Sequence, residues 1–281
     1  MFSTLISVSE LNNLLQADRV STVVFDCRAY LTMPGKGEQV YHEGHIPGAG
    51  YLHLDDDLSA PVSADSGRHP LPDFTQLATK IRTFGVNPDT QVVVYDDCGG
   101  AMAARAWWLL RVLGHPRVAV LDGGYPAWVT AGGHISDQLP AMCAGTFIEN
   151  PDLSMLLPIE QVASLASEGV LVDARTPERY RGEQEPIDPI AGHIPDAVNR
   201  PLQLNLTADG YFKSAEILHQ EWTRFLEPCR AEQVAHYCGS GVTACHNLLA
   251  MEYAGLSGAK VYPGSWSEWI RDPARPVAIG D

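Results

Sequence analysis

One cysteine stands where a folded chain can make a thiol reactive. A short β-type run, Gln233-Val234-Ala235-His236-Tyr237, delivers Cys238 into a loop of small residues, Gly239-Ser240-Gly241-Val242-Thr243, after which Ala244 to Ala254 reads as a helix. The loop amides and the positive end of that helix face the place where the sulfur belongs, and both favour thiolate over thiol. Gly239 and Gly241 carry no Cβ, so the backbone can fold tightly enough for several amides to converge on one anionic sulfur. The plain alternative is a core cysteine packed among small neighbours. Placement in a loop between a strand and a helix favours a nucleophile instead. A cysteine-dependent phosphatase would need a histidine before the cysteine and an arginine at the sixth position after it, where this chain has Tyr237 and Ala244.

The other cysteines, Cys27, Cys98, Cys143, Cys229 and Cys245, make no CxxC pair with one another or with Cys238, so neither a zinc ribbon nor a disulfide framework is expected. Cys245 falls on the helix after the loop and is expected to point into the core. No metal or organic cofactor is called for. With 34 acidic against 19 basic residues and a formal net charge of −15, nucleic acid and anionic membranes are poor partners, and a small anionic substrate would need a local basic pocket. No apolar run is long enough for a membrane span, and Met1 to Leu15 lacks the features of a secretory signal. A soluble, cytoplasmic protein with reduced thiols is expected.

The elements that must position this cysteine are written twice. Asp26-Cys27-Arg28 followed by Gly44-His45-Ile46-Pro47 is answered by Asp173-Ala174-Arg175 followed by Gly192-His193-Ile194-Pro195. Val92-Val93-Val94-Tyr95-Asp96 matches Val234-Ala235-His236-Tyr237-Cys238, and Gly123-Gly124-Tyr125-Pro126-Ala127-Trp128 matches Gly264-Ser265-Trp266-Ser267-Glu268-Trp269. A period this long denotes duplicated domains rather than a solenoid. Apolar runs at Thr22 to Phe25, Gln91 to Tyr95 and Arg117 to Leu121 alternate with helical patterns at Thr75 to Phe84 and Ala103 to Leu113. This pattern predicts, in each half, an α/β fold with a largely parallel central sheet flanked by helices on both faces. The Gly- and Pro-containing stretch from Ala131 to Pro158 reads as the connection, which divides the chain into residues 1–145 and 146–281. Functional groups in such sheets gather beyond the carboxyl ends of the strands, where Cys238 lies. Its counterpart in the first half is Asp96, with Asp97 and Cys98 following. The paired carboxylates should oppose a thiolate at Cys98, leaving the first half catalytically silent. Arg28 and Arg175, which follow the strand aspartates in both halves, are expected to form structural ion pairs.

Together, the tandem α/β repeat, Gly-His-Ile-Pro in both halves, Cys-Gly-Ser-Gly-Val-Thr-Ala at 238–244, Asp-Gly-Gly-Tyr at 122–125 and Gly-Ser-Trp-Ser-Glu-Trp at 264–269 resemble the two-domain rhodanese family of sulfurtransferases. The likeness spans nearly the whole chain and implies two tandem rhodanese-like domains. Within that family, thiosulfate-preferring enzymes place basic residues after the cysteine, whereas the loop here resembles that of 3-mercaptopyruvate sulfurtransferases. The resemblance implies a relay of Ser240 with His69, in Arg68-His69-Pro70-Leu71-Pro72, and Asp55, in Leu52-His53-Leu54-Asp55, reaching across the domain interface. Arg179 resembles the family's substrate-binding arginine and would grip a carboxylate. Ile187 and Asp188 lie where a second arginine is often found, and Arg181 is a plausible substitute.

The reaction so implied begins with Cys238 thiolate attacking the donor's sulfur, with Gly239, Gly241, Val242 and Thr243 shaping the substrate pocket. The resulting persulfide passes its sulfur to a thiol, a thioredoxin-like dithiol or cyanide. The donor is a small sulfur-bearing anion. Thiosulfate:cyanide transfer and a persulfide carrier without turnover are the alternatives.

Overall fold

The computed structural model describes residues 1–17 and 21–281. The chain forms two compact units. The first comprises residues 1–60, 72–152 and 208–212, and the second residues 61–71, 153–207 and 213–281.

In the first unit, the strands are β1 (Leu5–Ile6), β2 (Thr22–Asp26), β3 (Gly50–Tyr51), β4 (Gln91–Tyr95) and β5 (Val118–Leu121), joined in the order β1-β5-β4-β2-β3. Every pairing is parallel. The helices are α1 (Val8–Gln16), α2 (Lys36–Glu43), α3 (Phe74–Arg82), α4 (Ala103–Val112) and α5 (Gly124–Thr130). Alternation along β4 sends Val93 and Tyr95 into one core with Leu11 of α1 and Trp128 of α5. Val92 and Val94 point the other way and are equally buried, on the face that α4 packs against.

The second unit repeats the plan with β6 (Val170–Asp173), β7 (Val198–Asn199), β8 (Val234–Tyr237) and β9 (Lys260–Val261), a parallel sheet of order β7-β6-β8-β9. Its helices are α6 (Val162–Glu168), α7 (Pro177–Tyr180), α8 (Ala215–Leu226), α9 (Ala244–Tyr253) and α10 (Ser265–Trp269). Ala235 and Tyr237 of β8 join Val162 of α6 and Trp266 and Trp269 of α10 in one core. On the opposite face, His236 meets Trp222 of α8 edge-on at 5.5 Å and Met251 of α9 at 3.2 Å. Helices therefore cover both faces, as the alternating pattern predicts.

The chain divides after Asp152 rather than near residue 145, for a reason visible in the backbone. Cys143, Gly145, Phe147, Asn150 and Asp152 all donate amide hydrogen bonds back to carbonyls of residues 82–113, whereas Leu157 donates to Val261 of β9. Two segments also cross over: Pro61–Leu71 counts with the second unit and Ala208–Phe212 with the first.

The duplicated signals are scaffold. Asp26 receives Arg28 in a fork at 2.6–3.1 Å, and Arg28 reaches on to the Gly44 carbonyl at 2.7 Å. Asp173, Arg175 and Gly192 repeat this arrangement. His45 and His193 stack on Tyr41 and Tyr180 and pair through Nδ1 with those tyrosines' carbonyls. Both pairs are buried and structural, so the arginines take the role expected of them.

Candidate active site

Cys238 leaves β8 where the strand's carboxyl end opens into a loop, and α10 holds that loop in place. The first amides of a helix have no partner within it, and here they are spent on the loop. Trp266 N–H donates to the Cys238 carbonyl at 3.0 Å and Ser267 N–H to the Gly239 carbonyl at 2.9 Å. With those carbonyls drawn towards α10, the Gly241 amide turns inward and donates to Cys238 Sγ at 3.2 Å. Gly241 is indispensable to this turn: its φ is +78°, and a Cβ there would stand 2.0 Å from the Pro263 carbonyl oxygen. Val242 and Thr243 lead into α9, their carbonyls accepting from the Cys245 and His246 amides. Cys245 is buried, with Sγ 3.4 Å from the Gly241 carbonyl, in keeping with an inward-facing structural thiol.

Ser265 adds a further restraint. It is a non-glycine residue at φ 53°, and its hydroxyl accepts from the Cys238 amide at 3.1 Å while donating to the Tyr262 carbonyl at 3.0 Å. Gly124 takes the equivalent place in the first half, at φ +60°.

Cys238 is buried, yet its surroundings are polar. Ser240 Oγ and His69 Nδ1 share a hydrogen bond of 2.7 Å. Both belong to the second unit, because the segment carrying His69 is anchored on α10: Arg68 N–H donates to Ser267 Oγ at 3.0 Å, and Arg271 Nε to the Ser66 carbonyl at 3.0 Å. Gly67 permits the approach, since a Cβ there would come within 2.6 Å of the Gly264 carbonyl oxygen. Asp55 belongs to the first unit, exposed on a turn where its amide donates to His53 Nδ1 at 3.2 Å.

Two guanidiniums lie against the loop. A Cβ on Gly239 would meet Arg68 Nη2 at 2.8 Å and Arg179 Nη2 at 3.4 Å. The expected carboxylate-gripping residue, Arg179, is thus at the loop, but its fork is turned on Glu185, at 2.7–3.1 Å, with Asp188 at 3.2 Å. Arg68 chelates Asp188 at 2.8 and 3.1 Å. Burial alone would raise the Glu185 carboxyl, but hydrogen bonds from Arg179 and from the Asp188 and Ile187 amides prevail and hold it below the usual carboxylate range. Arg181, considered a substitute for the missing second arginine, instead pairs with exposed Glu183 at 2.8 Å. The second guanidinium at the loop is Arg68. Nothing in its sequence context singled it out beyond its place next to His69, and Ser265 and Ser267 were likewise not legible as loop anchors.

The first half shows what such a loop does with an anion. Asp96 accepts from four amides, those of Cys98 at 3.0 Å and Gly100 at 2.8 Å on Oδ1 and those of Met102 at 2.7 Å and Ala103 at 2.8 Å on Oδ2. Desolvation, followed by the charges of Asp96 and Asp97, pushes the Cys98 thiol up, against thiolate formation. Among the described residues, no group of three or more His, Cys, Asp or Glu side chains could hold a metal, and no helix is long and apolar enough to cross a membrane.

Comparison with known proteins places the chain in a family. The family model of the rhodanese-like domain matches residues 7–131 and again 159–272. The chain is 49% identical over 263 residues to a probable 3-mercaptopyruvate sulfurtransferase of Pseudomonas aeruginosa, covering 92% of this chain and 93% of that one. It is 41% identical over 280 residues to a putative thiosulfate sulfurtransferase of Mycobacterium tuberculosis, covering 98% and 97%. The crystal structure of a 3-mercaptopyruvate sulfotransferase from Escherichia coli superimposes with a TM-score of 0.79 at 28% identity, covering 95% of this chain and 100% of that one.

Proposed function

The chain belongs to the rhodanese family and is a sulfurtransferase, and from that premise we propose that it draws sulfur from 3-mercaptopyruvate onto Cys238 and passes it to a thiol, a thioredoxin-like dithiol or cyanide. The observation that carries this reading is a single loop in which Cys238 Sγ accepts from the Gly241 amide while Ser240, two residues on, is hydrogen-bonded to His69. The first group stabilises a sulfur anion, and the second can move a proton beside it.

In the first step, Cys238 thiolate attacks the donor sulfur. The new S–S bond forms as the donor's C–S bond breaks, and the electron pair passes to the carbon as the pyruvate enolate. The donor's thiol proton, moved through Ser240 and His69, ends on that carbon, giving pyruvate and a Cys238 persulfide anion that the Gly241 amide serves as it served the thiolate. In the second step, an acceptor thiolate or cyanide attacks the outer sulfur and Cys238 leaves as thiolate, which regenerates the enzyme. A reducing cytoplasm supplies such acceptors.

Thiosulfate is the second reading. The guanidiniums of Arg68 and Arg179 against Gly239 favour it, as does the name borne by the mycobacterial relative. Steady-state kcat/KM with each donor separates the two, and a clear preference for thiosulfate would overturn the first reading. Cys238→Ser should abolish transfer and the gain of one sulfur atom in the intact mass; unimpaired turnover would exclude the mechanism. Ser240→Ala and His69→Ala should each slow mercaptopyruvate turnover by roughly 100-fold or more, the scale of a lost proton relay. Equal loss with both donors would argue against a relay specific to mercaptopyruvate.

A further inference from the structure

The charges beside the Cys238 loop are balanced by one carboxylate in particular. Arg68 and Arg179 border Gly239, the residue after the nucleophile, and unpaired they would present two positive charges to any anionic donor. Asp188 lies between them: Oδ1 accepts from Arg68 Nε at 2.8 Å, while Oδ2 accepts from Arg68 Nη2 at 3.1 Å and Arg179 Nη2 at 3.2 Å. Its side chain is only 2% exposed, so solvent does little to screen it. Behind it, Glu185 is shared by Arg179 and Arg175, and Arg175 is closed by Asp173. Three guanidiniums thus face three carboxylates, and Asp188 is the carboxylate shared by the two cations that reach the loop.

Resting on the reading of Cys238 as the sulfur-accepting nucleophile, we propose that Asp188 is a specificity-determining residue. It cancels part of the positive charge at the loop and so selects a donor with one carboxylate and an uncharged thiol over a compact dianion such as thiosulfate. The reason is Coulombic: an incoming dianion is repelled by the Asp188 charge twice as strongly as a monoanion at the same distance, and the penalty is largest where water is excluded. The carboxylate also fixes both guanidiniums in place, which keeps them from folding around a smaller, more highly charged ligand.

The test is the ratio of kcat/KM for thiosulfate to that for 3-mercaptopyruvate, with cyanide as acceptor, in the wild type, Asp188→Asn and Asp188→Glu. Asp188→Asn keeps the shape and a hydrogen-bond acceptor but removes the charge. It should raise the ratio about 10-fold, chiefly through a lower KM for thiosulfate with kcat little changed. Asp188→Glu should return the ratio towards the wild-type value. An unchanged or lower ratio in Asp188→Asn overturns the proposal. Arg68→Gln is the independent check should Asp188→Asn fold poorly: it shifts the local charge the other way and should lower the ratio, so an unchanged or higher ratio there also overturns the proposal. Because the readout is a change in ratio, a wild-type preference for thiosulfate would defeat the donor reading above without deciding the role of Asp188.

Discussion

At the scale of the residue, the site depends on backbone positions as much as on functional groups. Gly241 supplies the amide that meets Cys238 Sγ, and it does so at a positive φ with no room for a side chain against Pro263. Gly241→Ala should therefore destabilise the fold by more than ~1 kcal/mol from the left-handed backbone alone, with the collision adding to that. It should also slow persulfide formation, because relief of the clash swings the amide away from sulfur. A thermal melt paired with single-turnover mass detection checks both effects, and wild-type behaviour in both would show that the loop is not under this restraint. Cys238 and its glycines were legible in the sequence because small residues between a strand and a helix have few other uses. Arg68, Asp188 and Ser265 were not, because their importance comes from atoms brought together by tertiary structure: a guanidinium against a bare Cα, a carboxylate shared by two cations, and a hydroxyl that accepts from the Cys238 amide.

At the scale of the element, β8 shows why apolar runs were a sound guide and where they stop. The run from Gln233 to Tyr237 predicts a strand, and Val234–Tyr237 is one, because buried parallel strands need apolar residues on both faces. The same reading could not foresee two-residue strands such as β3, β7 and β9, which are defined by pairing with a neighbour rather than by composition. His236 departs from the apolar rule. It is fully buried between α8 and α9, and desolvation, with Arg200 adding to it, pushes its imidazole down from 6.5 to about 3. The unfolded chain takes up this proton below pH 6.5, whereas the folded chain refuses it until about pH 3. Stability should therefore be lost as pH falls through that window, by up to about 1.4 kcal/mol per pH unit from this group, and be indifferent to it above the window. Denaturant titrations at pH 7 and pH 5 should show a smaller difference in His236→Gln than in the wild type, and an equal difference would exclude this histidine as a source of acid sensitivity.

At the scale of the whole molecule, the duplication was readable because the same scaffold was needed twice: a strand aspartate held by an arginine, a stacked histidine, and a strand ending in a loop whose amides turn onto the side chain at its start. Asp96 fills that loop in one half and Cys238 in the other. The lengths of the repeats did not reveal how their segments are distributed. Pro61–Leu71 precedes most of the first unit in the chain yet is counted with the second, where Ser267 and Asp188 hold Arg68 and where Ser240 meets His69. No single cut in the polypeptide separates the two units cleanly, because each contains more than one stretch of the chain. A fragment starting at Leu153 would retain the thiol and its amide but leave behind the histidine and one of the two flanking cations. Measured against the intact protein, its sulfur transfer should be lower by roughly 100-fold or more, the scale of a missing proton relay. Genetic separation of the halves would then divide Cys238 from His69 and Arg68, so that any dissection of this chain must carry the Pro61–Leu71 stitch along with the loop it packs on.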